Sequence, residues 1–169
     1  MNAVRRSIGI EHAAPALFRL PSSGRLLVSG RGGTWVIAPD GSKRRLGSWP
    51  EASWSPHGLF VVASSRYGLA AVQPRDGTVR WSLARPDVSL PSWGGTRTDT
   101  RIAYFSRRSL RVVAGDGTGD RVLAGAAVRV TPVWQPERHA VAFVARSGLV
   151  VVRNVDSGAV VARHRVAGV

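Results

Sequence analysis

Residues 52–64 read ASWSPHGLFVVAS, with a tryptophan directly before Ser-Pro-x-Gly and an apolar run directly after it. The tetrapeptide Ser55-Pro56-His57-Gly58 has the chemistry of a type I turn. Serine suits its first position, proline pre-sets φ at the second, and glycine suits the fourth. The chain is expected to reverse here, between a strand ending at Trp54 and a strand over the run 59–64. That run is apolar at successive positions, hence on both faces, as in a strand sandwiched between packed sheets. Trp54 then acts as a packing wedge, its ring against a neighbouring unit and its indole N–H directed at a carbonyl.

The neighbouring units are in the sequence. PEASWSPHGLFVVASS (50–65) aligns with LPSWGGTRTDTRIAYFS (90–106) and with TPVWQPERHAVAFVA (131–145), placing Trp54, Trp93 and Trp134 at intervals of 39 and 41 residues. A fainter first copy, APALFRLPSSGRLLVSG (14–30), carries Phe18 in the tryptophan position. After each apolar run a further strand leads to a turn, in GTWVIAPDG (33–41), GLAAVQPRDG (68–77), SLRVVAGDG (109–117) and GLVVVRNVDSG (148–158). The turn pairs are Asp40 and Gly41, Asp76 and Gly77, Asp116 and Gly117, and Asp156 with Gly158. Asp-Gly between apolar strands is a strong hairpin signal, because glycine accepts the positive φ such turns need. A closing strand follows each time: SKRRLG, TVRWSLA, DRVLAG and AVVARHRV. No stretch carries helical periodicity over ~11 residues.

Four short strands per unit, repeated at a period near 40, are the blades of a β-propeller. The expected fold is all-β and β-propeller-like, with four four-stranded antiparallel blades forming a partial or small propeller. A lead-in over 1–13 precedes the propeller-like domain 14–169, with blades at about 14–48, 49–86, 87–126 and 127–169. Such a chain can close as a small ring, stay an open arc, or complete a larger ring with a second copy. The arc is the favoured expectation. Its end blades would expose apolar faces and open edges, through which the chain would self-associate.

WSPHGLFVVASS resembles the W-S-P-D-G-x-x-[IL]-[AV]-[FY] signature of the WD40-like, TolB-type β-propeller repeat, with His57 in place of the usual aspartate. GDGTGDRVLA resembles the turn between third and fourth strands of that repeat, and the likeness covers about 15–169. Unit three departs at Gly94-Gly95 and unit four at Gln135-Pro136-Glu137. SIGIEHAAPALFRLPSSGRLLVSG is also similar to the start of the extracytoplasmic region of actinobacterial WD40-like proteins. In those, the matching text follows a single transmembrane helix. The resemblance implies that longer relatives are membrane-anchored and that Met1 opens a shortened product. It implies the extracytoplasmic face of a bacterial membrane if an upstream anchor exists, and otherwise the cytoplasm.

At 169 residues the chain can bury roughly 70% of its unfolded surface as one domain. Cysteine is absent, which excludes disulfides, thiolate metal sites and cysteine nucleophiles. No apolar run approaches the ~20 residues of a membrane span, and Glu11, His12 and Pro15 interrupt what would be a signal-peptide core behind Arg5 and Arg6. The net charge is +14, and 23 of the 24 basic residues are arginine. They are scattered along the chain in short clusters, as GC-rich coding and a solvated surface would give. Nucleic acid is accordingly disfavoured as a partner.

Little in the sequence suggests catalysis. SGRGGTW (29–35) leads into a strand, so no helix N-terminus is offered to a phosphate. GDGTGD (115–120) lacks the third carboxylate and the bidentate glutamate of a calcium loop. His12, His57, His139 and His164 show no metal-ligand spacing, and no G-x-S-x-G elbow occurs. No enzyme activity, cofactor or metal is expected. The reading is a non-catalytic scaffold that binds a protein or ligand through its blade-end loops. The partner-binding candidates are His57, Arg97, Arg107, Arg108 and His139, with the loop 94–100 as the favoured insertion. The alternative is a basic module for a polyanion such as nucleic acid, anionic lipid headgroups or a glycan.

Overall fold

The structure, a computed structural model, describes residues 24–165. Fifteen strands and no helix are found among them, arranged as four antiparallel sheets in which each strand pairs with its neighbour in sequence. The first sheet holds β1 (Leu26–Gly30), β2 (Gly33–Ile37) and β3 (Lys43–Gly47). Its expected innermost strand, with Phe18, lies outside the described residues. The second sheet runs β4 (Glu51–Trp54), β5 (Val61–Ser65), β6 (Gly68–Val72), β7 (Val79–Ala84). The third runs β8 (Val88–Gly95), β9 (Thr100–Ser106), β10 (Ser109–Ala114), β11 (Arg121–Ala124). The fourth runs β12 (Val133–Trp134), β13 (Ala140–Val144), β14 (Leu149–Asn154), β15 (Val160–Arg165).

The turn after Trp54 closes on its own serine. Gly58 N–H donates to Ser55 O at 2.9 Å, Phe60 N–H donates to Ser55 Oγ at 3.0 Å, and Gly58 adopts a φ of 64°. One expectation is corrected here. The buried run begins at Val61, while Leu59 is 63% exposed because the turn turns it outward before pairing starts.

Alternation along the central strands divides side chains between two neighbouring blades. From β5 and β6, Val61, Ala70 and Val72 pack towards the first sheet with Val36 and Leu46. Val62, Leu69 and Ala71 pack the opposite way against Ile102, Tyr104 and Val113. From β9 and β10, Ala103, Phe105, Leu110 and Val112 meet Val141, Phe143 and Val151 of the fourth sheet. Nearly all are fully buried, and each large apolar side chain so placed stabilises the fold by roughly 1.5–3 kcal/mol. Among the described residues there are thus three inter-blade cores for four sheets. None of the three joins the first sheet to the fourth.

Candidate functional site

Antiparallel pairing sends the chain connections to two opposite ends of the blades. One end carries the turns from first to second strand and from third to fourth. The other carries the turns from second to third strand and the connectors between blades. Backbone bonds tie the second end together: Asp87 N–H donates to Arg66 O, Arg107 N–H to Asp87 O, and Ala127 N–H to Arg108 O.

The first end holds the repeated aspartates. Asp40, Asp76 and Asp116 each accept a backbone N–H two residues on, at 2.9 Å, from Ser42, Thr78 and Thr118. Gly41, Gly77, Gly117 and Gly158 take positive φ of 73–89°, a conformation that only glycine adopts cheaply. In the fourth blade Asn154 caps the turn instead, accepting the N–H groups of Asp156 and Ser157. Asp156 is thereby free for another task.

That task is an ion-pair cluster spanning blades three and four. His139 sets Nδ1 against the Asp156 carboxylate and Nε2 against the carbonyl oxygen of Asp99, at 2.8 Å for the latter. Two acceptors call for two N–H groups, which is the imidazolium cation. Burial works against that charge, but the Asp99 carbonyl and the Asp156 carboxylate outweigh it, so the His139 pKa lies above 6.5. Arg101 pairs with Asp99 and lies 3.4 Å from Asp156. The His139 side chain, 14% exposed, is consumed in this clamp rather than displayed.

A second network lies between blades two and three. The Asp120 carboxylate, 6% exposed, accepts Tyr104 Oη at 2.7 Å, Arg111 Nη2 at 2.7 Å and Arg85 Nε at 2.8 Å. Burial pushes its pKa up, yet the hydrogen bonds from Arg111, Tyr104 and Arg85 hold it below the usual carboxylate range. The repeat pattern does not single out this residue, since Asp120 stands four residues beyond the turn aspartate of its own blade. Its partners come from three separate strands and linkers, which no spacing reveals.

The repeat aromatics prove unequal. Trp134 donates Nε1–H to Ser92 O at 3.0 Å and lies against Gly94. Trp93 is 8% exposed and stacks on Phe60, but its Nε1 has no hydrogen-bond partner. Trp54 is half-buried, with the Arg25 guanidinium 5.1 Å from its ring centre.

His57 and Arg97 are exposed at the aspartate end, and Arg107 and Arg108 at the opposite end. The structure therefore does not bring the five candidates into one site. The stretch 94–100 is not an open insertion. Gly94 and Gly95 belong to β8 and Thr100 to β9, leaving a four-residue turn closed by Thr96 N–H to Asp99 O at 2.9 Å. Among the described residues no group of three or more histidine and carboxylate side chains is placed to hold a metal.

No family model matches the chain, and no curated protein matches it. Solved structures do. Dihydro-heme d1 dehydrogenase NirN in complex with DHE superposes with a TM-score of 0.64 at 18% identity, over 85% of this chain and 35% of that one. The WD40 domain of Toxoplasma gondii coronin gives 0.63 at 13% identity, over 86% and 43%. The β-propeller domain of Myceliophteria thermophila Cps50 (Swd1) gives 0.61 at 12% identity, over 88% and 57%. The chain spans from about a third to somewhat over half of these proteins. Sheet topology, blade period and these likenesses agree on the architecture: the described residues form four blades of a β-propeller fold.

Proposed function

We propose that the chain is a non-catalytic propeller scaffold that binds a protein partner at the aspartate end of its blades. The observation that carries this reading is Leu59, 63% exposed on the tight turn that follows Trp54. His57, two residues before it on that turn, and Arg97 at the same end of the next blade are exposed, and their side chains hold no hydrogen bond or ion pair among the described residues. An apolar anchor with unpaired polar neighbours on a rigid turn is how binding loops on sheet scaffolds work. The text around Trp54 supports the TolB-type assignment of the repeat.

The test is site-specific photocrosslinking in native extract. Crosslinkers at positions 59 and 97 are expected to trap one and the same protein, whereas one at Ala84, exposed at the opposite end of the outer strand β7, traps none. Adducts equal at all three positions, or none at 59 and 97, overturn the reading.

A further inference from the structure

In all four blades the residue that opens the turn between second and third strands is an arginine: Arg31, Arg66, Arg107 and Arg146. The registers place them equivalently, because Gly30 pairs with Gly33, Ser65 with Gly68 and Ser106 with Ser109, while Gly148 N–H closes on Ala145 O. Arginine is not what these turns need. Arg107 sits at φ 55°, in a region where glycine, asparagine or aspartate is far easier to place. GC-rich coding supplies arginine everywhere and does not explain its return to one turn position in every blade.

Arg108 and Arg165 join them at this end of the sheets. The side chains of Arg31, Arg107, Arg108, Arg146 and Arg165 are exposed and bond to nothing among the described residues. The Arg66 side chain bonds, among the described residues, only to its neighbour Tyr67. The carboxylates at this end are already used. Asp87 is held by Arg129 at 2.9 Å, and Glu51 accepts Leu90 N–H from the next blade and Ser64 Oγ from its own. The repeated turn aspartates all lie at the opposite end. Between the arginines stand exposed apolar side chains, Tyr67 at 68%, Val128 at 41% and Val130 at 42%.

From this arrangement we infer that the arginine end of the blades docks on an anionic lipid surface. Turn tips at one end of side-by-side sheets form a broad face, and unpaired charge spread over such a face orients a protein on a charged plane. Unpaired guanidinium groups take phosphate oxygens bidentately, and tyrosine and valine enter the headgroup layer beneath them. Nucleic-acid recognition would need bases stacked on aromatic platforms, and among the described residues Tyr67 is the one strongly exposed aromatic ring at this end. The inference stands independently of the protein partner proposed at the aspartate end.

The experiment is co-sedimentation of the full chain with phosphatidylcholine vesicles carrying roughly one-third phosphatidylglycerol, against vesicles of phosphatidylcholine alone. Binding is expected only to the anionic vesicles, weakening as salt rises. Each arginine near such a surface strengthens binding roughly fivefold, so Arg31→Glu, Arg107→Glu and Arg146→Glu together should weaken it at least about a hundredfold. The same three changes at the aspartate end, Arg75→Glu, Arg97→Glu and Arg138→Glu, alter the net charge identically and should weaken it by no more than about threefold. Where the glutamate variant fails to fold by circular dichroism, the three glutamines replace it, with a smaller loss in the same order. Equal losses from both trios overturn the inference in favour of net charge alone. Absence of binding to anionic vesicles overturns it outright. Duplex DNA that binds more tightly than the vesicles, and is lost with the same arginine-end trio, overturns it in favour of nucleic acid.

Discussion

Replacing Asp120 by asparagine keeps the side chain's shape and removes its charge, so it isolates what the carboxylate does between blades two and three. Three residues donate to it: Tyr104 Oη at 2.7 Å, Arg111 through Nε at 3.1 Å and Nη2 at 2.7 Å, and Arg85 at 2.7–2.8 Å. Asparagine offers one acceptor oxygen and turns an amide N–H₂ towards guanidinium donors. Breaking one side of a buried ion pair costs roughly 3–5 kcal/mol. Arg85 is 37% exposed, so its share is screened by water and discounted. Arg111, at 18%, and the buried Tyr104 keep most of theirs. The expected loss is about 3 kcal/mol, which for a chain of this size lowers the Tm by roughly 6–12 °C. Thermal and urea unfolding at neutral pH, followed both by circular dichroism and by tryptophan fluorescence, measure it. Wild type should lose the same contribution in acid. The folded-state pKa of Asp120 is lowered, so its stabilisation is present above the ordinary carboxylate value of 3.8 and fades as pH falls through the depressed one. A loss smaller than about 1 kcal/mol on Asp120→Asn would refute the reasoning, since it would fall within one ordinary neutral hydrogen bond.

The His139 clamp has the opposite sign. Its folded-state pKa is raised above 6.5, so its stabilisation is complete below 6.5 and is lost as pH rises through the raised value. His139→Gln should flatten a wild-type decline of no more than about 1 kcal/mol between about pH 6.5 and 8.5, read as Tm against pH; a wild-type curve already flat there would count against the imidazolium. Gly94→Ala would put a Cβ 2.1 Å from Trp134 Cγ, forcing that ring off β8 and breaking its bond to Ser92. A destabilisation of about 2–3 kcal/mol is expected, and a cycle with Trp134→Ala should recover at least about 1 kcal/mol as coupling energy. Purely additive losses would show that the ring does not occupy that place.

What the sequence made legible was whatever recurs. The hairpin chemistry of Asp76-Gly77 and its counterparts, and the period between Trp54, Trp93 and Trp134, depend on neighbours a few residues away and repeat in register. The architecture could therefore be read from them. His139 was harder to read. It lies in the turn after Trp134 as His57 lies in the turn after Trp54, which suggests a displayed turn residue; only the packing of blade four on blade three brings it to Asp99, 40 residues earlier. The stretch 94–100 misled for a related reason. Its glycines looked like loop residues, but Gly94 is small so that a tryptophan from the next blade can lie on strand β8. The common end of Arg31, Arg66, Arg107 and Arg146 was hidden because scatter along a chain is not scatter in space, and a repeat turns equal spacing into one face.

Four sheets with three shared cores are linked in series, like beads on a rod. In a closed ring every blade has two supports, and the loss of one junction leaves the rest connected. Among the described residues the interface between blades two and three, with its core of Val62, Ile102 and Tyr104, is the one junction between two halves. Damage there should divide the described assembly into pairs of blades, while damage at either outer core should detach a single one. Amide protons of β5, β6, β9 and β10, supported from both sides, should exchange last, and those of β1 and β15 first.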